Sequence, residues 1–327
     1  MSRRTSTSSG TIVTALLVLT FWVAAMLVPS PIQKEPLRVA VGMWPAAEPW
    51  ILAREAGDLS SVDINLVELN WNSAAMRAVG NRVVDAAVLS LDEVVRQIHQ
   101  GYPLKIVMIT DVSRGADLLL TRPGLNSIAE LKGTRIGYEP RTSGAWLLSR
   151  ALENANLKFS EVQQVPLNPA EVDEIFETLN LDGVVLSEPW RQRIQALNLN
   201  LVYDSSRPGS EIVRVLAVHP EALEQHRESL VSLIKAHVKW MPRLDEGGEL
   251  LKPILRRESI TAEVFQSILA RIDIVDLARN RQLLRREDAW LGDIFIKIQK
   301  GLVEDTVAAK LIDPSEVFDP SLLEELP

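Results

Sequence analysis

Short apolar runs alternate with stretches of helical periodicity along most of the chain. LRVAV, INLVELN and VVDAAVLS begin at residues 37, 64 and 83, and PWILAREAGDL and SAAMRAVG stand between them with apolar residues three and four apart. RIGY, VQQVPLN and LDGVVLS repeat the scheme from residues 135, 162 and 181, with AWLLSRALENANL as an intervening helix. This alternation predicts two halves, each a mostly parallel sheet covered by helices. The halves also agree in register. Arg38 falls on Arg135 and Asp85 on Asp182 under one displacement of 97 positions, and the third strands end on Ser90 and Ser187. Two lobes are therefore predicted, over about 37–112 and about 117–203. Beyond them, HRESLVSLIKAHVKWMPRL, TAEVFQSILARIDI and AWLGDIFIKIQKGLVEDTVAAKL have the spacing of amphipathic helices that cover the first lobe.

Ahead of the first strand, TIVTALLVLTFWVAAMLV (residues 11–28) is apolar and long enough to enter a membrane as a helix. Arg3 and Arg4 before it imply that the N-terminus stays in the cytoplasm and the remainder is exported. Val23-Ala24-Ala25 offers an exit for a signal peptidase, so residues 1–35 are expected to be a signal peptide or an uncleaved signal anchor. The expected division is then 36–112 plus 208–327 for lobe 1 with the C-terminal helices, and 113–207 for lobe 2.

Composition removes several classes of function. A formal charge of −8 provides no basic face for nucleic acid, and none is expected as a partner. The chain has no cysteine, which excludes disulfides, thiolate nucleophiles and thiolate metal sites. HExxH, the nucleophile elbow and the GxxxxGK[ST] loop are all missing from the sequence. Neither catalysis nor a cofactor nor a metal is expected.

LRVAVGMWPAAEPWILAREAGDL, LLLTRPGLNSIAELKGTRIGYEPRTSGAWLLSRALENANL and DGVVLSEPW together resemble the substrate-binding proteins of ABC importers, in the nitrate, sulfonate, taurine and thiamine-pyrimidine-precursor branch. The resemblance runs from about residue 37 to the end. It implies a type II periplasmic binding fold of two α/β lobes joined by two hinge crossovers, near 112–117 and 203–212, with IVRVLAVHP returning to the first sheet. It also implies a small-molecule ligand, permease and ATPase partners, and residence in the periplasm or at the outer face of the cytoplasmic membrane. A membrane-tethered ligand sensor for a signalling partner is the alternative.

Ligands of open parallel sheets bind beyond the carboxyl ends of the strands, where helix N-termini point their free N–H groups. Trp44 there serves as an aromatic lid or as hinge packing. Asn72 and Ser73 direct donors at a ligand or cap the next helix. Ser90 and Asp92 stand at the end of the third strand, and Asp111 contacts ligand or belongs to the hinge. Arg141, Thr142 and Ser143 open a helix and favour an anionic group. Glu188 and Trp190 form an acidic-Pro-aromatic element whose carboxylate accepts from a ligand amine or ties the lobes together. The carboxylates Asp92, Asp111, Glu139 and Glu188 argue against nitrate and for a zwitterion such as taurine or a nitrogen compound.

Overall fold

The computed structural model describes residues 35–285, 289–303 and 310–327. The apolar leader lies outside these residues, as do positions 304–309 of the last predicted helix. Among the described residues no helix is long and apolar enough to cross a membrane.

Eleven strands are described: β1 Leu37–Val41, β2 Ile64–Glu68, β3 Ala86–Ser90, β4 Lys105–Ser113, β5 Asp117–Thr121, β6 Arg135–Tyr138, β7 Gln163–Pro166, β8 Gly183–Ser187, β9 Asn200–Asp204, β10 Ile212–Val218 and β11 Ile272–Ile274. They form one sheet of order β11-β4-β10-β3-β1-β2 and another of order β7-β6-β8-β5-β9. In each, three strands run parallel, β2-β1-β3 or β7-β6-β8, and the next is antiparallel. That antiparallel strand is delivered from the other half of the chain: β10 follows the second sheet, and β5 follows the first. The result is the α/β architecture expected, two lobes joined by two crossovers. Their links are tied to each other, since Ser113 Oγ and Ser205 Oγ are 2.7 Å apart and Gly115 N–H donates to the latter at 2.8 Å.

The helices are α1 Glu48–Glu55, α2 Asn72–Gly80, α3 Leu91–His99, α4 Ser143–Asn154, α5 Val172–Thr178, α6 Pro220–Gln225, α7 Arg227–Trp240, α8 Lys252–Glu258, α9 Ala262–Leu269, α10 Leu277–Leu284 and α11 Trp290–Val303. Their starts follow local chemistry. Thr142 accepts from Gly144 N–H to cap α4, Thr261 caps α9, Asp276 caps α10, and Ser90 with Glu93 makes a capping box on α3. The strands of the first sheet are apolar on both faces because helices cover both; Val39, Ala40, Val41, Ala86, Ala87 and Val215 are fully buried. Trp50 of α1, also fully buried, donates to Leu233 O of α7 at 2.8 Å and so fastens a covering helix.

One predicted helix differs. TAEVFQSILARIDI is helical only to Leu269, and Ile272–Ile274 pairs antiparallel with β4. Ile-Asp-Ile alternates with a period of two, and the edge of β4 offers unpaired backbone groups that a third helical turn would leave unsatisfied.

Candidate functional site

The carboxyl ends of β1, β2 and β3 face those of β6, β7 and β8 across one gap. A cavity of about 50 Å³ lies there, walled from the first lobe by Gly42, Met43, Trp44, Asn70, Trp71, Asn72 and Arg214, and from the second by Glu139, Pro169, Ser187, Glu188 and Trp190. Met43, Asn70 and Trp190 also border a wider space of about 620 Å³ in which Arg257, Glu258 and Thr261 take part.

Arg214 organises the hinge end of this cleft. It stands in β10 with Ser90 of β3 and Asp111 of β4 as its neighbours in register. Its Nη2 donates to both carboxylate oxygens of Asp117, at 3.0 and 3.1 Å, which joins a strand of one lobe to a strand of the other. Nη1 faces Asp111 Oδ1 at 3.8 Å, and the guanidinium lies 3.4 Å from the ring centre of Trp44. Trp44 Nε1 in turn donates to Asp111 Oδ2 at 3.1 Å, as does Thr110 Oγ1 at 2.8 Å. Burial opposes the Arg214 charge, but Asp117 and Asp111 outweigh it and hold its pKa above the ordinary value. Burial pushes Asp111 up to about 6 against the pull of Arg214.

Two carboxylates cross the gap in opposite directions. Glu93 of α3 accepts from Ser143 N–H of α4 at 3.3 Å, and within its own lobe from Asn72 Nδ2 at 3.0 Å and Ser90 N–H at 2.8 Å. Glu139, just after β6, accepts from Ser73 N–H of α2 at 3.0 Å. Burial, then the charges of Asp92 and Glu139, raise Glu93 to about 8, and burial raises Glu139 as well. A third link joins Arg271 to Glu188 at 3.7 Å.

Of the residues singled out by sequence, Trp44, Asn72, Glu139, Glu188 and Trp190 line the cavity. Glu188 precedes a cis peptide bond to Pro189 and accepts from Gln192 Nε2 at 3.1 Å and Arg191 Nη1 at 3.5 Å. The others stand off the lining. Ser90 Oγ donates to Asp92 Oδ1 at 2.7 Å, and both side chains are buried, with Asp92 Oδ2 left unpartnered. Asp111 supports Trp44 and Arg214 from behind. Ser73 and Ser143 contribute backbone N–H groups to the interlobe bonds, and Thr142 caps α4 while donating to Glu139 O at 2.9 Å. Arg141, at φ 65°, is exposed and borders a separate depression of about 160 Å³ beside Arg77 and Tyr102.

Glu93, Trp71, Asp117 and Arg214 were not singled out. An arginine inside the apolar strand IVRVLAV was a visible signal, since a buried charge requires a partner. Ser90-Leu91-Asp92-Glu93 carried the capping-box spacing, but nothing local marked Glu93 as a residue that reaches the other lobe.

Comparison with known proteins agrees with the topology. A binding protein of Brucella abortus is 31% identical over 132 residues, 37% of this chain and 41% of that protein, so the match spans less than half of its length. The structure of the periplasmic aliphatic sulphonate binding protein from Escherichia coli superposes with a TM-score of 0.67 at 17% identity, over 89% of this chain and 92% of that one. A desulfurization enzyme does so with a TM-score of 0.63 at 14% identity, over 89% and 98%. The periplasmic binding fold therefore hosts both receptors and enzymes, and the site must decide between them. The model of the NMT1-like family matches residues 30–250, more than half of the sequence, and the chain belongs to that family.

Proposed function

We propose that this chain is the extracytoplasmic solute-binding component of an ABC importer. It closes two lobes, 36–112 plus 208–327 and 113–207, on a small sulfonate, taurine-like or nitrogen-containing organic solute and presents it to a permease and its ATPase. The observation that carries the reading is a cavity walled by strand ends of both sheets, with tryptophan, asparagine and carboxylate side chains on its surface. Trp44, Asn72, Glu188 and Trp190 are its proposed ligand contacts, with Asn70 and Trp71 beside them. Ser73, Ser90, Asp92, Asp111, Thr142 and Ser143 hold those contacts in place.

How the polar groups are spent supports a binding role rather than catalysis. A nucleophile needs a base within about 3.2 Å and a third group to orient that base. Ser187 donates to Asp117, whose oxygens are already bound by Arg214, and Asp92 is committed to Ser90. Neither pair combines a hydroxyl on the cavity wall with a carboxylate free of an ion pair, since Asp117 is held at two points by Arg214 and Ser90 and Asp92 are buried off the lining. The same residues suit recognition, where donors and acceptors are fixed in advance.

Thermal-shift screening of the full-length protein in mild detergent against sulfonates, amino acids, amines and heterocycles tests the proposal. A ligand at about 100 times its Kd contributes about 2.7 kcal/mol to the folded state and raises Tm accordingly. At least one solute class should do so, and Trp190→Ala should abolish the shift. A flat response to every class would contradict the proposal.

A further inference from the structure

Helix N-termini facing a cleft are the natural seats for an anionic group, because their N–H groups lack partners within the helix. Among the described residues, α2 and α4 present such ends to the gap. The residue at the cap of α2 is Trp71, which has no side-chain acceptor, and it makes no side-chain cap bond. Glu139 of the opposite lobe supplies the acceptor instead, through Ser73 N–H. At α4, Thr142 takes Gly144 N–H, and the remaining inward donor, Ser143 N–H, is taken by Glu93 from the first lobe.

The buried cation on the cleft wall is committed in the same way. Arg214 is bonded to Asp117, faces Asp111 and stacks on Trp44. Unpartnered near the cleft are two acceptors behind the cavity wall, Asp92 Oδ2 and Asp111 Oδ1, and one donor of the wall residue Arg214, its Nη1, which faces Asp111 Oδ1 at 3.8 Å. An entering anion would meet filled helix N-termini, the carboxylates Glu139 and Glu188 on the cavity wall, and an Arg214 whose charge is already balanced by Asp117 and Asp111. An entering N–H group would meet acceptors.

We infer that Glu93 and Glu139 are specificity-determining residues: they fill from within the two helix N-termini that would otherwise receive an anion, so the solute is an uncharged or cationic nitrogen compound. This rests on the receptor reading above and narrows it, removing sulfonates, carboxylates and nitrate from the candidates. Glu139 is the residue to alter first, because it lines the cavity and retains some exposure, whereas Glu93 is fully buried.

The test is a titration of the full-length protein and its variants with sodium methanesulfonate, against sodium chloride at equal ionic strength, followed by Tm. The unaltered protein should show no specific rise. Glu139→Ala frees the Ser73 N–H and removes a charge, and should bind methanesulfonate at least about tenfold more tightly, a change that 1.4 kcal/mol produces. Glu139→Gln keeps an acceptor on that N–H but loses the charge, and should fall between the two. It carries the comparison by itself should the alanine variant not fold. Methanesulfonate binding as tightly to the unaltered protein as to the variants would overturn the inference and leave the receptor reading standing. So would variants that gain nothing. Failure of the receptor reading has a different mark, the unaltered protein responding to no solute of any class.

Discussion

The third strands of the two lobes begin alike and end differently. Asp85 accepts from Arg38 N–H at 2.8 Å and Asp182 from Arg135 N–H at 2.7 Å, each pair 47 residues apart, and the returning N–H groups donate to Arg38 O and Arg135 O. At the other end, Ser90 opens a capped helix whose Glu93 crosses to the second lobe. Ser187 instead donates to Asp117, and the chain turns through Glu188 and cis-Pro189. The shared ends lie away from the cleft and fix strand to strand. The divergent ends border it. A repeated fold thus keeps its structural bonds in duplicate while the residues at the gap are free to take unlike roles.

Removing Arg214 breaks this arrangement at its most loaded point. Arg214→Ala leaves Asp117 and Asp111 buried without their cation, and is expected to lower unfolding stability by about 3–5 kcal/mol in urea or thermal melts. The duplicated bonds sharpen the comparison next. Asp85→Ala and Asp182→Ala each strand a backbone N–H and should cost about 1–3 kcal/mol, more for Asp85, which also pairs with the Arg38 guanidinium.

A pH series probes the first lobe's end of the comparison. Glu93 is raised to about 8 and Glu258, by burial, to about 7. Both keep a proton in the folded protein that the unfolded chain releases near its ordinary carboxylate pKa. Their contribution is complete below that value and is lost as pH rises through the folded values. Stability should therefore fall from about pH 4.5 to 8, by up to about 1.4 kcal/mol per pH unit for each proton retained, and level off above the folded value of Glu93. His237, which burial lowers to about 4, is neutral in the folded protein but takes up a proton below about pH 6.5 when unfolded, so it adds an opposing rise between about pH 4 and 6.5 and the net decline is steepest just above that range. Glu93→Gln should flatten the decline. The smallest expected change belongs to Asn70, an exposed residue that lines both spaces of the cleft. Asn70→Ala should leave the unliganded melt within about 0.5 kcal/mol while weakening the solute-induced rise in Tm.

Much of the fold was legible because it is local and periodic. The parallel strands, their helices and the register of the two halves follow from alternation and from Arg38, Asp85, Arg135 and Asp182 as anchors. The antiparallel return of β10 came through family resemblance, and β11 was missed because a three-residue strand is too short for a period to stand out against the preceding helix. The site was less legible for a physical reason. Trp44, Asn72, Glu188 and Trp190 sit at strand ends, where topology alone directs them to the gap. Glu93 acquires its role from Ser143, 50 residues on, and Arg214 from Asp117, 97 residues back. Such pairings exist only once the lobes have met.

Closure of the two lobes on a solute is best measured as a distance. The chain has no native cysteine, so Asn65→Cys at the far edge of the first sheet and Ser160→Cys before the far edge of the second accept two spin labels without competition. Pulsed dipolar spectroscopy should give a broad or longer distribution without solute, and a narrower, shorter one when the best solute of the thermal screen is saturating. Identical distributions in both conditions, with binding verified in the same sample, would contradict closure.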